Sequence, residues 1–531
     1  MDDASGAMQG RPAASRSEPQ AELDLWLRVL KWAVPSALVV AAVVLLIGLS
    51  SPLLGFHSFR QSQTAIATYW MLHGSSWLSY ETPVLGPPWS IPFEFPLYNW
   101  LVAGLVQLTG WPLDTAGRLV SFVWFLLCLL PARSLFQGFG LPRLSFLLFA
   151  VLFLASPLYL FWGRAFLMET QALCFSLSFL AALRHQLAGG RGHWTLLATL
   201  ASLAACLTKI TTMLPFLALA LVMVAASLVE RRRAGALKLS FVAVLAVSLI
   251  LPLACFSVWN AHADALKAQN AIATLFRSSS SAMLLWNFGS LQQRVSADMA
   301  RALGRGGLDI FGWLAPVAGA LVVAVVARRD ALPRRERALI GSLVAAFMLP
   351  WLVFTNLYIA HNYYEAANAV FAIAAVAIAL GGIVRRGLAL PAAVLTGALL
   401  VSQYSWFAYR FWPMLTPDPA ADQELAVARY LRENTPRDSV IAIYGLDWSS
   451  LVPYYSERKA IMEPTRMVQA PREVYLGRLH QLLQPLDGMP MSAVVRCDSR
   501  LDDEEAVRLF DALARQTRTV SIANCRIYVA L

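Results

Sequence analysis

Apolar runs long enough to cross a lipid bilayer recur along the chain, and this feature limits the fold more than any other. A transmembrane helix needs about 20 mainly apolar residues to cross a hydrocarbon core roughly 30 Å thick. Of the 531 residues, 58% are hydrophobic and only 14% are charged, whereas soluble domains are about 45–50% apolar. The sequence therefore predicts an all-α polytopic membrane protein. We expect about eleven spans, near residues 33–51, 118–136, 143–161, 168–185, 194–210, 212–229, 238–257, 310–327, 338–355, 366–383 and 388–406.

Basic residues orient these spans. Arg28 and Lys31 precede the first span, and basic clusters such as "ERRRAGALK" and "ARRDALPRRERA" occupy alternate loops after it. Lys and Arg are enriched in cytoplasmic loops, so we expect a cytoplasmic N-terminus. The net charge of +11 is then mostly a topological signal, and no nucleic-acid partner is predicted. Residues 1–30 are predicted to be a disordered cytoplasmic tail without a cleavable signal peptide.

The alternation of basic loops requires residues 52–117 to form one long outer loop. The segment "PLYNWLVAGLVQLTGW" is short and contains Asn99 and Gln107, so we expect it to lie at the membrane surface as a helix, with "QSQTAIATYWMLHG" as another. The other polar clusters, "GRAFLMET", "TKITT" and "IAHNYYEAAN", then fall on the same outer side. A functional site gathers its polar groups on one face in this way.

The composition changes after about residue 410. Charge rises, and "SVIAIYG", "SAVVRCD" and "CRIYVAL" are typical of buried strands. We therefore divide the chain into a membrane domain of residues 31–409 and a small α/β domain of residues 410–531. The small domain follows an odd number of spans, so we expect it on the outer side. Cys497 and Cys525 are predicted to form a disulfide there, since a periplasm permits one.

Glu94 is the first candidate for a catalytic group. It lies in "PFEFPLY" among aromatic residues and prolines, which would desolvate a carboxylate and favour a role as general base. The alternative is that Glu94 caps the helix that follows it. His57 and His361 also lie at the outer ends of predicted spans. Three roles are open for each: general base, hydrogen-bond donor to a phosphate, or interfacial residue.

Two cations lie on the outer side, where the positive-inside rule does not explain them. Arg60 and Lys209 suit a phosphate at headgroup depth, because arginine binds its oxygens in a bidentate manner and lysine supplies a point charge. Snorkelling to lipid headgroups is the alternative. Glu169 lies at the start of the fourth predicted span. Two roles are open for it: a residue of the functional site, or the partner of Arg164 in a local ion pair.

Taken together, "HSFRQSQTA", "FEFPLY", "GRAFLMET", "TKITT" and "HNYY" resemble motifs of the GT-C superfamily of membrane glycosyltransferases. The nearest branch is the one related to protein O-mannosyltransferases and the aminoarabinose-to-lipid A transferase. The resemblance covers roughly residues 33–406. It implies transfer of a sugar from a polyprenyl-phosphate donor to a lipid, glycan or protein acceptor, at the outer face of a bacterial cytoplasmic membrane. No nucleotide would enter the site.

The resemblance also implies roles for particular residues. Arg60 and Lys209 would stabilise the leaving phosphate, and Gln61 would orient the donor. Relatives carry an acidic residue soon after the first span, where this chain has His57 and no carboxylate. Glu94 and His57 are therefore rival candidates for the group that takes the acceptor's proton.

Glu169 matches an acidic position that opens the fourth span in relatives. The "HNYY" motif adds His361, Tyr363 and Tyr364 as further substrate-binding candidates.

Two other functions compete with this one. A transporter or flippase would also need many spans, but it predicts charges near mid-span and internal repeats, which we do not find. A ligase or polymerase of lipid-linked polysaccharide shares the donor chemistry. No cofactor is predicted, the sequence has no metal or nucleotide-binding signature, and dependence on a divalent metal is left open.

Overall fold

The computed structural model describes residues 18–190, 192–328, 330–462, 464, 488–497 and 517–530. The described part of the membrane domain is almost entirely helical. Its helices are α1 Glu18–Leu46, α2 Ser58–Leu72, α3 Leu97–Thr109, α4 Leu113–Leu127, α5 Leu129–Gly138, α6 Arg143–Ala155, α7 Pro157–Trp162, α8 Glu169–Leu187, α9 Gly192–Arg233, α10 Leu239–Lys267, α11 Ser281–Phe288, α12 Leu291–Arg294, α13 Ala297–Phe311, α14 Ala315–Ala327, α15 Arg334–Val353, α16 Thr355–Ala360, α17 Ala369–Arg385 and α18 Ala389–Arg410.

Seven helical stretches in the described ranges are long and apolar enough to cross a membrane. They are Trp26–Leu46, Leu113–Gly138, Gly192–Arg233, Leu239–Lys267, Ala297–Ala327, Arg334–Val353 and Ala389–Arg410. Two shorter apolar helices, Arg143–Ala155 and Ala369–Arg385, accompany them. The prediction of a mostly helical membrane protein with a small sheet domain is thus confirmed, whereas the count of eleven spans stays a prediction. Helix α1 begins at Glu18, inside the segment predicted to be a disordered tail, of which residues 1–17 lie outside the described part.

Helix α9 is interrupted at one residue. The predicted spans 194–210 and 212–229 are joined in it, and Lys209 between them has an extended backbone, with φ −165° and ψ 98°. A break of this kind frees backbone groups that a continuous helix would use. The carbonyl of Leu207 accepts a hydrogen bond from the backbone N–H of Phe95, at 3.2 Å. The break therefore holds the loop that carries Glu94.

Residues 52–117 contain the two expected helices, α2 and α3. The residues of α2 from Gln61 to Tyr69 are buried, because α2 packs against α3 and against a helix of the C-terminal domain; its place at the membrane surface stays a prediction. The Asn99 side chain donates hydrogen bonds to the Thr64 carbonyl and the Thr68 hydroxyl, at 3.0 and 2.8 Å. The polar residues of these helices thus stabilise a contact between them.

The C-terminal domain contains helices α19 Gln423–Asn434 and α20 Leu451–Ser456 and five strands. The strands are β1 Val440–Tyr444, β2 Lys459–Met462, β3 Met491–Cys497, β4 Thr517–Ile522 and β5 Cys525–Ala530, in the order β2-β1-β3-β5-β4. Strand β1 is parallel to β2 and β3, and β5 is antiparallel to β3 and β4. Cys497 and Cys525 face each other across β3 and β5 and form a disulfide.

The sheet is tied to the first outer loop. The N–H groups of Ala460 and Met462 on β2 donate to the carbonyls of Pro83 and Val84, at 2.9 and 2.8 Å. The loop thus covers the exposed edge of β2, an edge that would otherwise leave backbone groups unpaired. The C-terminal domain and the loop that bears Arg60 and Glu94 consequently share one hydrophobic core.

A second connection is polar. Both carboxylate oxygens of Asp114, at the start of α4, accept hydrogen bonds from hydroxyls of α20, those of Tyr454 at 2.5 Å and Tyr455 at 2.7 Å. The Tyr455 hydroxyl in turn accepts from the N–H of Leu53, at 2.6 Å. These contacts fix the domain over the outer loop.

Candidate active site

A polar cavity of about 200 Å³ lies between the first outer loop, the break in α9, the end of α10 and the "HNYY" segment. It brings together six residues that the sequence predicts as site residues and that come from four separate segments. They are Arg60, Glu94, Lys209, His361, Tyr363 and Tyr364. Glu94 is the only carboxylate among the described residues that line the cavity.

Arg60 and Glu94 form an ion pair across the cavity wall. The second terminal nitrogen of Arg60 donates to the Oε1 atom of Gln63, at 2.5 Å. Burial opposes the charge on Arg60, but Glu94 and the two neighbouring tyrosines outweigh it and hold the pKa of the guanidinium above its ordinary value. Arg60 is therefore a permanent cation in the cavity. Glu94 does not cap α3, whose N-cap residue is Pro96 without a side-chain hydrogen bond.

Lys209 is held on the opposite side of the cavity. Its ammonium group forms an ion pair with Glu169, and these side chains are 4% and 1% exposed. The same ammonium lies 4.3 Å from the centre of the Tyr364 ring and 5.2 Å from that of Tyr363. Since Glu169 lies behind Lys209 and does not line the cavity, its role is to hold the lysine. Glu169 thus pairs with Lys209 and not with Arg164, the alternative that the sequence left open, and Arg164 donates to the Gly48 carbonyl at 3.0 Å.

The two histidine rings meet edge to face, and His361 stacks on Tyr363. The ring centres of His57 and His361 are 4.9 Å apart, and His361 lies 5.3 Å from Tyr363. Burial lowers the pKa of His57 to about 4, against a hydrogen bond with Asn362. Burial, with repulsion from His57, Arg60 and Lys209, lowers the pKa of His361 to about 3. Both rings are neutral at pH 7, and His361 rather than His57 lines the cavity.

Gln61 does not reach the cavity. Its Nε2 atom donates to the Phe56 carbonyl at 3.0 Å, and its Oε1 atom accepts from the N–H of Phe166 at 3.2 Å. Both ends of the amide are occupied by backbone groups, so the predicted role in orienting the donor is not supported. Gln63, two residues later, lines the cavity beside Arg60.

Sequence reasoning missed a third cation. Lys267, at the end of α10, lines the cavity and donates to Asp264 Oδ1 at 3.0 Å and to the Phe276 carbonyl at 3.2 Å. Asp264 also accepts from the N–H and hydroxyl of Ser278. No spacing in the sequence around the end of α10 singles out Lys267.

The C-terminal domain also contributes to the wall. Trp448 lines the cavity, and its ring centre lies 4.6 Å from Phe276 and 5.9 Å from Phe93. No sequence signal connects residue 448 with the first outer loop, because the contact depends on how the domain docks. Within the described ranges, no three His, Cys, Asp or Glu side chains form a group that could hold a metal ion.

No protein-family model and no curated protein matches the sequence. Among solved structures, the chain is similar to the arabinofuranosyltransferase AftD from Mycobacteria, with a TM-score of 0.51 and 16% identity over 93% of this chain and 41% of that one. It is also similar to the archaeal oligosaccharyltransferase AglB from Archaeoglobus fulgidus, with a TM-score of 0.49 and 12% identity over 93% of this chain and 74% of that one.

The likeness to AftD concerns the fold. The fold of the chain is similar to that of an arabinofuranosyltransferase, in line with the resemblance carried by the sequence motifs. The chain spans less than half of the length of AftD.

Proposed function

We propose that the protein transfers a sugar from a polyprenyl-phosphate-linked donor to a hydroxyl-bearing lipid, glycan or protein acceptor. The observation that carries this proposal is the composition of the cavity wall. Arg60, Lys209 and Lys267 face one cavity in which Glu94 is the only carboxylate among the described lining residues. Three cations around one acid suit a phosphate-bearing substrate that reacts with a group needing a base.

Arg60 and Lys209 bind the donor phosphate in this proposal. In the transfer step the acceptor oxygen forms a bond to the anomeric carbon, and the bond from that carbon to the phosphate oxygen breaks. The negative charge that develops on the leaving phosphate is stabilised by cations already fixed in the cavity wall. Preorganised groups of this kind are each worth about 2.7–4 kcal/mol of barrier.

Glu94 accepts the proton of the acceptor hydroxyl. One of its carboxylate oxygens is held by Arg60. A donor phosphate competes for the same guanidinium, so donor binding releases the carboxylate for proton transfer. His57 is the weaker candidate because it does not line the cavity, whereas its neighbour His361 does.

We place the reaction at the outer face of a bacterial cytoplasmic membrane, with the N-terminus inside and the C-terminal domain in the periplasm. The support is the alternation of basic loops along the sequence. The polar cavity then opens where a polyprenyl-phosphate sugar and an envelope acceptor can both reach it.

The test is transfer by purified protein in detergent with radiolabelled polyprenyl-phosphate sugars. Arg60→Ala should lower turnover by roughly 10²–10³-fold with the fold intact. Arg301→Ala is the matched control, because Arg301 pairs with Asp298 on the exposed surface, and it should act like the wild type. Equal turnover of Arg60→Ala and wild type would refute the proposal. Supplying a monosaccharide donor and an oligosaccharide-lipid separately distinguishes single-sugar transfer from a ligase or polymerase.

A further inference from the structure

A second cavity lies inside the membrane-spanning helices, away from the candidate active site. It has a volume of about 410 Å³ and is bordered by α5, α6, α8, α9, α15 and α17. Most of its wall is apolar, with Phe136, Leu180, Met223 and Phe371 among the lining residues. A void of this kind leaves side chains without contacts, which favours a hydrocarbon occupant.

The charged groups of this cavity gather at one end. Arg184 lies near the C-terminal end of α8, and Arg335 lies in the first turn of α15. From Glu169, beside the candidate active site, to Arg184 the helix rises about 22 Å at 1.5 Å per residue. The arginine end therefore faces the membrane surface opposite to the polar cavity.

The charges at that end are not balanced. The carboxylate of Glu336, which also lines the cavity, is engaged in an ion pair with Arg385. The guanidinium of Arg184 lies 5.7 Å from the centre of the Phe139 ring. In the described part of the chain, neither Arg184 nor Arg335 has a carboxylate within ion-pair distance. An anion bound at this end would face two uncompensated cations.

We propose that this cavity binds an anionic phospholipid from the leaflet opposite to the candidate active site. One acyl chain fills the apolar part, and the phosphate lies between Arg184 and Arg335. Burial of the chain gives little selectivity, since the bilayer is equally apolar; the arginines select the headgroup, because guanidinium groups bind phosphate oxygens strongly. A zwitterionic lipid would bring its own cation towards the two arginines, which disfavours it.

The test is lipid retention by the full-length protein. Wild type is reconstituted in nanodiscs with equal amounts of phosphatidylglycerol, phosphatidylcholine and polyprenyl phosphate, then extracted into mild detergent and examined by native mass spectrometry. We expect phosphatidylglycerol to be retained in preference. Arg184→Gln with Arg335→Gln should reduce that retention, roughly fivefold for each arginine.

The matched control is Arg232→Gln with Arg233→Gln, which removes the same charge from the exposed C-terminal end of α9 and should retain phosphatidylglycerol as the wild type does. Melting temperatures of both double variants check that each is folded. Equal retention by the wild type and the Arg184/Arg335 variant would overturn the proposal. Polyprenyl phosphate displacing phosphatidylglycerol in an arginine-dependent manner would also overturn it, because the cavity would then hold the donor's tail.

Discussion

The ammonium group of Lys209 lies 4.3 Å from the centre of the Tyr364 ring while it forms an ion pair with Glu169. The two charged side chains are almost completely buried. Removing one partner of a buried pair leaves an uncompensated charge. Lys209 therefore has two roles, one in stability and one in the proposed binding of the donor phosphate, which a single alanine substitution would not separate.

Lys209→Ala should lower both stability and turnover. The loss of stability follows from leaving Glu169 buried without its cation, at a cost of about 3–5 kcal/mol. Lys209→Met combined with Glu169→Gln removes both charges, so it should recover most of the melting temperature but not the turnover. The measurements are thermal unfolding and sugar transfer by the wild type, by Lys209→Ala and by the double variant. A double variant with wild-type turnover would show that Lys209 is only structural.

The free energy of unfolding should fall at acidic pH because of the two histidines. Burial lowers the pKa of His57 to about 4 and that of His361 to about 3, whereas an unfolded histidine has a pKa of about 6.5. The unfolded state thus binds more protons below pH 6.5. Stability is fully present above pH 6.5 and decreases towards pH 4, by up to about 1.4 kcal/mol per pH unit for each histidine.

His361→Gln should reduce this pH dependence by about half, as measured by denaturant unfolding in detergent between pH 4 and 7. His193→Gln is the control, because His193 is exposed and its replacement should leave the curve unchanged. If the unfolding free energy changes with pH equally in the wild type and in His361→Gln, the acid sensitivity does not come from His57 and His361.

The disulfide between Cys497 and Cys525 should stabilise the C-terminal domain. The bond closes a segment with a sequence separation of 28, for which loop-closure entropy gives about 3–4 kcal/mol. Replacing both cysteines by alanine should lower the melting temperature, and mass spectrometry without reductant should find no free thiol at either position in the wild type. Two free thiols there would disprove the bond.

The proposed topology can be tested by labelling exposed positions on either side of the membrane. Ala421 and Ala234 are both exposed, and we expect the first outside and the second inside. In a background with Cys255→Ala, an impermeant thiol reagent added to intact cells should label Ala421→Cys and not Ala234→Cys. Labelling of only Ala234→Cys would reverse the topology and place the polar cavity inside.

Helical spacing explains which site residues the sequence could predict. Arg60 and Gln63 are three positions apart on α2 and so share a face, whereas Gln61 is one position from Arg60 and points elsewhere. The spacing alone would have favoured Gln63 over Gln61. By contrast, the sequence could associate His361, Tyr363 and Lys209 because loop charges predict that their segments lie on one side of the membrane.

Other parts of the site depend on tertiary structure. Lys267 reaches the cavity because the loop after α10 folds back, through Asp264 and Ser278, and no periodicity in that loop predicts this. Trp448 reaches it because β2 pairs with the first outer loop, a long-range contact that local pattern does not encode. The predicted spans 194–210 and 212–229 imply only a short connection next to Lys209, whereas the kink there also positions the Glu94 loop.

Glu94→Gln provides the decisive test of the base. The substitution keeps the shape of the side chain and can still accept a hydrogen bond from Arg60, but it cannot take a proton from the acceptor. We expect turnover to fall by roughly 10²–10⁴-fold, the range of general-base contributions, while binding of the polyprenyl-phosphate donor is retained. His57→Gln, tested in parallel, should retain most of its turnover because His57 does not line the cavity. If Glu94→Gln stays active and His57→Gln is inactive, the histidine is the base and Glu94 serves only to hold Arg60.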